Sequence, residues 1–168
     1  MASRILIAGI GNIFLGDDGF GSEVMRHVRS RVSGAEDLAG VRATDYGIGG
    51  MHLAYDLLEH WDALVLVDAI PNRGSPGTVH VFEADHESPD APAGLDAHSM
   101  DPVAVFATLR ALGGAPPRTI VVGCEVADVN EGMGLSEPVE AAVPEAVRAV
   151  DSAVALLRAE DKARVGGV

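Results

Sequence analysis

The sequence is poor in several things, and each shortage narrows what the chain is. Its 168 residues hold one cysteine, Cys124, so an internal disulfide framework is excluded and a reducing compartment is expected. Aromatic residues make up only 4% against 48% apolar residues in total. The core must therefore be built from Val, Leu, Ile and Ala, a composition that suits aliphatic strands covered by helices. Basic residues number 12 against 25 acidic ones, a net charge of −13, which speaks against nucleic-acid or anionic-membrane partners. That acidity is compatible with a cationic partner or a metal ion, but equally with plain solubility. No apolar run approaches the ~20 residues of a membrane span. Met-Ala-Ser-Arg leads into a short apolar run without a cleavage-like segment, so a cytoplasmic protein is expected. A His-Glu-x-x-His pair is absent, which removes an ordinary zinc-peptidase site. With no repeat and no linker, residues 1–168 read as a single domain, with 161–168 a frayed tail.

What is present is organised around one stretch, Ile5 to Gly21. An apolar run ends in Gly9 and Gly11, then Asn12, then Asp17 and Asp18 set between glycines. A helical pattern follows, with Phe20, Val24, Val28 and Val32 recurring at helical spacing. Apolar runs predict strands at 4–9, 41–46, 63–67, 78–82 and 119–123, the fourth nearer an edge. Helices are predicted at 19–32, 51–60, 102–112 and from Ser136 onward, with Pro138 in a first turn and Pro144 marking a kink or a later start. Alternating strands and helices predict an α/β fold, a three-layer αβα sandwich around a mostly parallel twisted sheet of about five strands. Sites in such folds gather beyond the carboxyl ends of the strands. That rim receives the Asp17/Asp18 loop and Asp68, and His98, after a loop rich in Pro, Ala and Asp, is within reach of it.

Several chemistries compete for these residues. Gly9-Ile10-Gly11 resembles a dinucleotide fingerprint, but the third glycine is misplaced and Asp45 falls later than that motif's carboxylate. Asp17 and Asp18 also stand where a pyrophosphate needs positive potential, so no nucleotide is expected. Asp18, Asp68 and His98 together suit a divalent ion such as nickel or zinc and leave positions open. Taken singly, Asp18 is equally a helix cap, Asp68 a strand-end aspartate and His98 a loop histidine. His80 and His86 offer a three-imidazole alternative with His98, although His80 sits mid-strand on an exposed face. Cys124 reads as apolar filling rather than a nucleophile. His27, His52 and His60 lie on helical patterns facing solvent, and Ser22 and Ser99 lack a nucleophile-elbow context.

The segments Ile7-Ala8-Gly9-Ile10-Gly11-Asn12 and Gly16-Asp17-Asp18-Gly19-Phe20-Gly21 resemble the signature of the hydrogenase maturation proteases. The resemblance continues through Asp45-Tyr46-Gly47-Ile48-Gly49-Gly50-Met51, Val65-Leu66-Val67-Asp68-Ala69, Ala97-His98-Ser99 and Gly134-Leu135-Ser136-Glu137-Pro138-Val139. It implies a cytoplasmic endopeptidase that removes the C-terminal peptide of a nickel-iron hydrogenase large-subunit precursor after nickel insertion. By the same resemblance Asp18, Asp68 and His98 are the metal-sensing residues, Asp18 or Asp68 is a candidate general base, and nickel arrives with the substrate. Glu is common in the family where Asp18 stands, and Gly123-Cys124-Glu125-Val126 departs from the family's Gly-Ile-Glu-Pro type. A monomer is expected. Competing expectations are a non-catalytic metal-sensing assembly chaperone for the large subunit and a small-molecule metallohydrolase.

Overall fold

The computed structural model describes residues 3–86 and 102–166. Five strands form one sheet: β1 (Ile5–Ile10), β2 (Val41–Gly47), β3 (Ala63–Ile70), β4 (Val79–Glu83) and β5 (Arg118–Glu125). Their order is β2-β1-β3-β5-β4. Parallel pairing sets Ile5 opposite Val41 on one side and Ala63 on the other, and Ala63 opposite Arg118. β4 closes the edge antiparallel to β5, with Val79 opposite Cys124. Four helices, α1 (Phe20–Ser33), α2 (Gly50–Asp56), α3 (Pro102–Ala111) and α4 (Glu137–Gly166), cover the sheet.

Alternation along the strands feeds two cores. Ile5, Ile7, Val65, Val67, Ile120 and Val122 pack with α1 and α4 on one face. Leu6, Ala8, Leu64, Leu66 and Val121 pack with α2 and α3 on the other. Successive side chains point to opposite faces, and with both faces covered every residue of β1 is buried. This is the αβα sandwich expected from the sequence. In α1, Phe20, Val24 and Val28 lie on one buried stripe, as residues four apart must.

Differences from the sequence reading lie at element ends. β3 continues to Ile70 and β5 to Glu125, so Asp68 lies inside its strand. α2 stops at Asp56, well short of residue 60. Short 3-10 turns at Gly16–Gly19 and Glu36–Leu38 were not legible as periodic patterns. α4 passes through Pro144 and remains helical to Gly166, so the tail expected to fray is helix through 166. Its buried stripe continues to Leu157, and the exposed Pro144 costs the helix one hydrogen bond without ending it. Among the described residues, no helix is long and apolar enough to cross a membrane.

Candidate active site

The carboxyl ends of β1, β3 and β5 converge on one rim, and buried acids are concentrated there. The described residues include four buried carboxylates, Asp17, Asp18, Asp68 and Glu125, and all four stand at this end. Each charge removed from water must be compensated locally, and Asp17, Asp18 and Glu125 differ in how far the described residues do so.

Asp17 is fully buried and saturated with donors. Its Oδ2 accepts from the amides of Ala127 (2.8 Å) and Asp128 (2.9 Å) and from Ser136 Oγ (2.8 Å). Its Oδ1 accepts from the Ser136 amide at 2.7 Å. Burial works to raise its pKa, but the donors from Ser136, Asp128 and Ala127 outweigh that and hold it below the ordinary 3.8. Its own amide donates to Asp128 O at 2.8 Å. Asp17 is thus a clasp between the loop after β1 and the loop after β5.

Asp18 has the opposite balance. It is only 4% exposed, and among the described residues one hydrogen bond reaches its carboxylate, from the Asn12 amide to Oδ2 at 2.8 Å. Desolvation raises its pKa and the single amide opposes that only in part. Oδ1 takes no hydrogen bond from the described residues. Neither aspartate caps α1, whose N-terminus carries no side-chain cap bond, so the capping expectation fails for both. Gly11 makes the turn possible: its φ is +135°, and a Cβ there would overlap Asp18 O.

Asp68 is buried in β3, opposite Gly123 and one residue beyond the last β1–β3 pair, Gly9 and Val67. The Gly16–Gly19 turn packs against β3. Gly21 sets that approach, since a Cβ on it would overlap Ile10 O and stand 2.7 Å from Val67 O. The turn carrying Asp18 and the C-terminal half of β3, which carries Asp68, therefore meet. His98 and Ser99 lie outside the described residues. Among the described residues no three His, Cys, Asp or Glu side chains form a metal-binding group.

The remaining candidates have structural partners. Asp45 accepts from Ser22 Oγ (2.9 Å) and the Gly47 amide (3.0 Å), which ties β2 to α1 and occupies both residues. His80 is not a free face residue: its Nε2 lies 2.7 Å from Glu125 Oε2. Glu125 Oε1 also accepts from the amides of Arg73 (2.7 Å) and Ser75 (3.2 Å). The His80 contact, then those amides, hold the Glu125 pKa below 4.5 against desolvation. His86 bonds Thr119 Oγ1 at 3.0 Å and meets the Phe106 ring edge-on, and burial lowers its pKa. Burial pushes the Cys124 thiol up to about 12, which removes it as a nucleophile. His27, His52 and His60 are exposed as expected, but His60 lies beyond the end of α2. Sequence reasoning missed the roles of Asp17 and Glu125, because their partners are backbone amides remote in the chain.

Comparison with known proteins agrees with this architecture. The hydrogenase maturation protease family model, of HycI type, matches residues 23–153. The coenzyme F420 hydrogenase subunit delta of Methanothermobacter thermautotrophicus is 32% identical over 152 residues, 88% of this chain and 92% of that protein. The hydrogenase expression/formation protein HupD of Rhizobium leguminosarum is 34% identical over 160 residues, 94% of this chain and 75% of that one. The hydrogenase maturating endopeptidase HybD of Escherichia coli superposes with a TM-score of 0.73 at 29% identity, covering 90% of this chain and 91% of its own. The matched region runs from α1 into α4 and includes the strand that carries Asp68, and this chain belongs to the hydrogenase maturation protease family.

Proposed function

We propose that this protein is an endopeptidase that trims the C-terminal peptide from a nickel-iron hydrogenase large-subunit precursor after nickel insertion. In this reading Asp18, Asp68 and His98 recognise the metal, and nickel is brought by the substrate. The observation that carries it is the contrast between neighbouring aspartates. Asp17 is saturated with donors, whereas Asp18 is desolvated, raised in pKa and supported by one amide. A carboxylate in that state gains more from a cation than one already surrounded by N–H groups. Carboxylate and imidazole donors suit a borderline divalent ion.

An incomplete protein ligand set makes cutting conditional on a metal already seated in the substrate. Nickel, as part of the substrate, positions the scissile bond or polarises its carbonyl. Asp18, with its raised pKa, is suited to take a proton from the attacking water. Asp68, buried on the adjoining strand end, completes the carboxylate pair.

The test is incubation of nickel-loaded precursor with wild type, Asp18→Asn, Asp68→Asn and His98→Ala, with intact mass as readout. Trimming by wild type alone supports the reading. Full trimming by all three variants would sink the site assignment. A stable complex with wild type and no loss of mass points to an assembly chaperone instead.

A further inference from the structure

The two loops joined by Asp17 carry exposed apolar side chains. Phe14 is 61% and Met133 72% exposed, with Ile13 next to Phe14 at 41% and Val129, on the same loop as Met133, at 47%. These residues are more than a hundred positions apart along the chain, yet the backbone zips them together. Gly132 N donates to Phe14 O at 2.9 Å and Gly16 N to Gly132 O at 2.9 Å, a short parallel bridge between Leu15 and Gly132. The Phe14 amide in turn donates to the Asn12 side chain (2.9 Å), and the Asn12 amide holds Asp18. The path from the Asp18 carboxylate to the Gly132 backbone next to Met133 is therefore one continuous set of hydrogen bonds through the Asn12 side chain and the backbone. Exposed apolar area of this kind marks a contact surface.

We infer that Asp17 is a positioning residue for substrate: by clasping the 126–136 loop it sets Phe14 and Met133 side by side as an apolar platform for the extended, apolar segment of the precursor that flanks the scissile bond. The occupant follows from continuity, because a peptide bond brought to Asp18 must lay its neighbouring residues across the loop that holds Asp18 in place. The inference rests on the endopeptidase reading for its substrate. The clasp itself is a property of this chain.

The experiment separates the two. Precursor affinity is measured by titration calorimetry, and trimming at saturating precursor by intact mass. The proteins are wild type, Asp17→Asn, the pair Phe14→Ser with Met133→Ser, all three changes combined, and Ser136→Ala. Amide hydrogen exchange is followed at Ala127, Asp128 and Ser136. Removing the charge that gathers these donors accelerates their exchange in Asp17→Asn by about tenfold or more. Precursor affinity falls roughly tenfold in Asp17→Asn and in the Phe14/Met133 variant, while the saturated trimming rate changes much less. The combined variant binds no worse than the weaker of the two, because both act through one platform. Ser136→Ala, which removes one of the four donors to Asp17 and keeps the three amides, loses less affinity than Asp17→Asn. A loss as large as that of Asp17→Asn would overturn the assignment to the Asp17 charge.

Unchanged exchange in Asp17→Asn, or affinity losses that multiply in the combined variant, would overturn the inference. If Asp17→Asn does not fold, the Phe14/Met133 variant decides: undiminished affinity overturns the platform. A wild type that binds precursor without trimming it contradicts the endopeptidase reading, and the affinity and exchange arms still decide the role of Asp17.

Discussion

Asp17 and Asp18 are adjacent and identical in type, yet the same substitution is expected to move stability in opposite directions. In Asp17→Asn one oxygen survives. Placed where Oδ2 stands, it retains the Ala127, Asp128 and Ser136 Oγ bonds as neutral contacts. The new NH2 then faces the Ser136 amide, formerly bonded to Oδ1 at 2.7 Å, and donor meets donor. Orphaning one buried donor costs about 1–3 kcal/mol, and loss of charge assistance on three further bonds adds about 0.5 kcal/mol each. Ala127 and Asp128 are exposed enough for water to relieve part of this, so we expect about 3 kcal/mol of destabilisation. That is a large share of a typical stability of about 5–15 kcal/mol. In Asp18→Asn the amide oxygen still accepts from Asn12 and a poorly compensated charge disappears, so stability rises by about 1 kcal/mol. The pH dependence has the matching signs. The native pKa of Asp17 is below 3.8, so its contribution is present above 3.8 and is lost as pH falls through the native value. The native pKa of Asp18 is above 3.8, so its contribution is present below 3.8 and is lost as pH rises through the native value. Guanidinium unfolding of wild type and both variants, followed from pH 7 down to about pH 2, reads all four quantities. Equal destabilisation by the two substitutions, or no effect at Asp17, would refute the assignment of clasp to one and open site to the other.

Three further predictions concern the surroundings of the rim. Gly21→Ala forces a methyl against the carbonyls of Ile10 and Val67 and should cost about 3 kcal/mol by chemical denaturation. Because it parts the ends of β1 and β3, it should also abolish trimming in folded protein at low temperature. Glu125→Gln removes the charge that gathers His80 and the amides of Arg73 and Ser75, so the melting temperature should fall and exchange should quicken across 71–77. The Glu125 pKa lies below 4.5, so its contribution is present above 4.5 and the gap from wild type should close as pH falls through the native value. Cys124, with its thiol at about 12, should resist iodoacetamide at pH 8 until the protein is unfolded. Cys124→Ala should keep trimming activity at a cost of about 1 kcal/mol.

The sheet was legible because both of its faces are covered, which makes 63–67 and 120–122 continuous apolar runs with no competing period. The rim was legible for a related reason, since in a parallel sheet the residues that follow each run fall at one end. Placing Asp18 and Asp68 together therefore needed only strand direction. The division of labour within Asp17-Asp18 carried no such signal. What separates them is a set of backbone amides at Ala127, Asp128 and Ser136, and every residue but proline has an amide. Glu125 was hidden in the same way behind Arg73 and Ser75. The one local hint was the glycine spacing of the second loop, where Gly132 and Gly134 take positive φ and let the chain turn its N–H groups inward. Residue type can nominate a carboxylate for chemistry, but the number of donors already aimed at it decides whether it has capacity left. By that measure Asp17 is full, and Asp18, one residue on and also buried, keeps an oxygen that no described residue hydrogen-bonds.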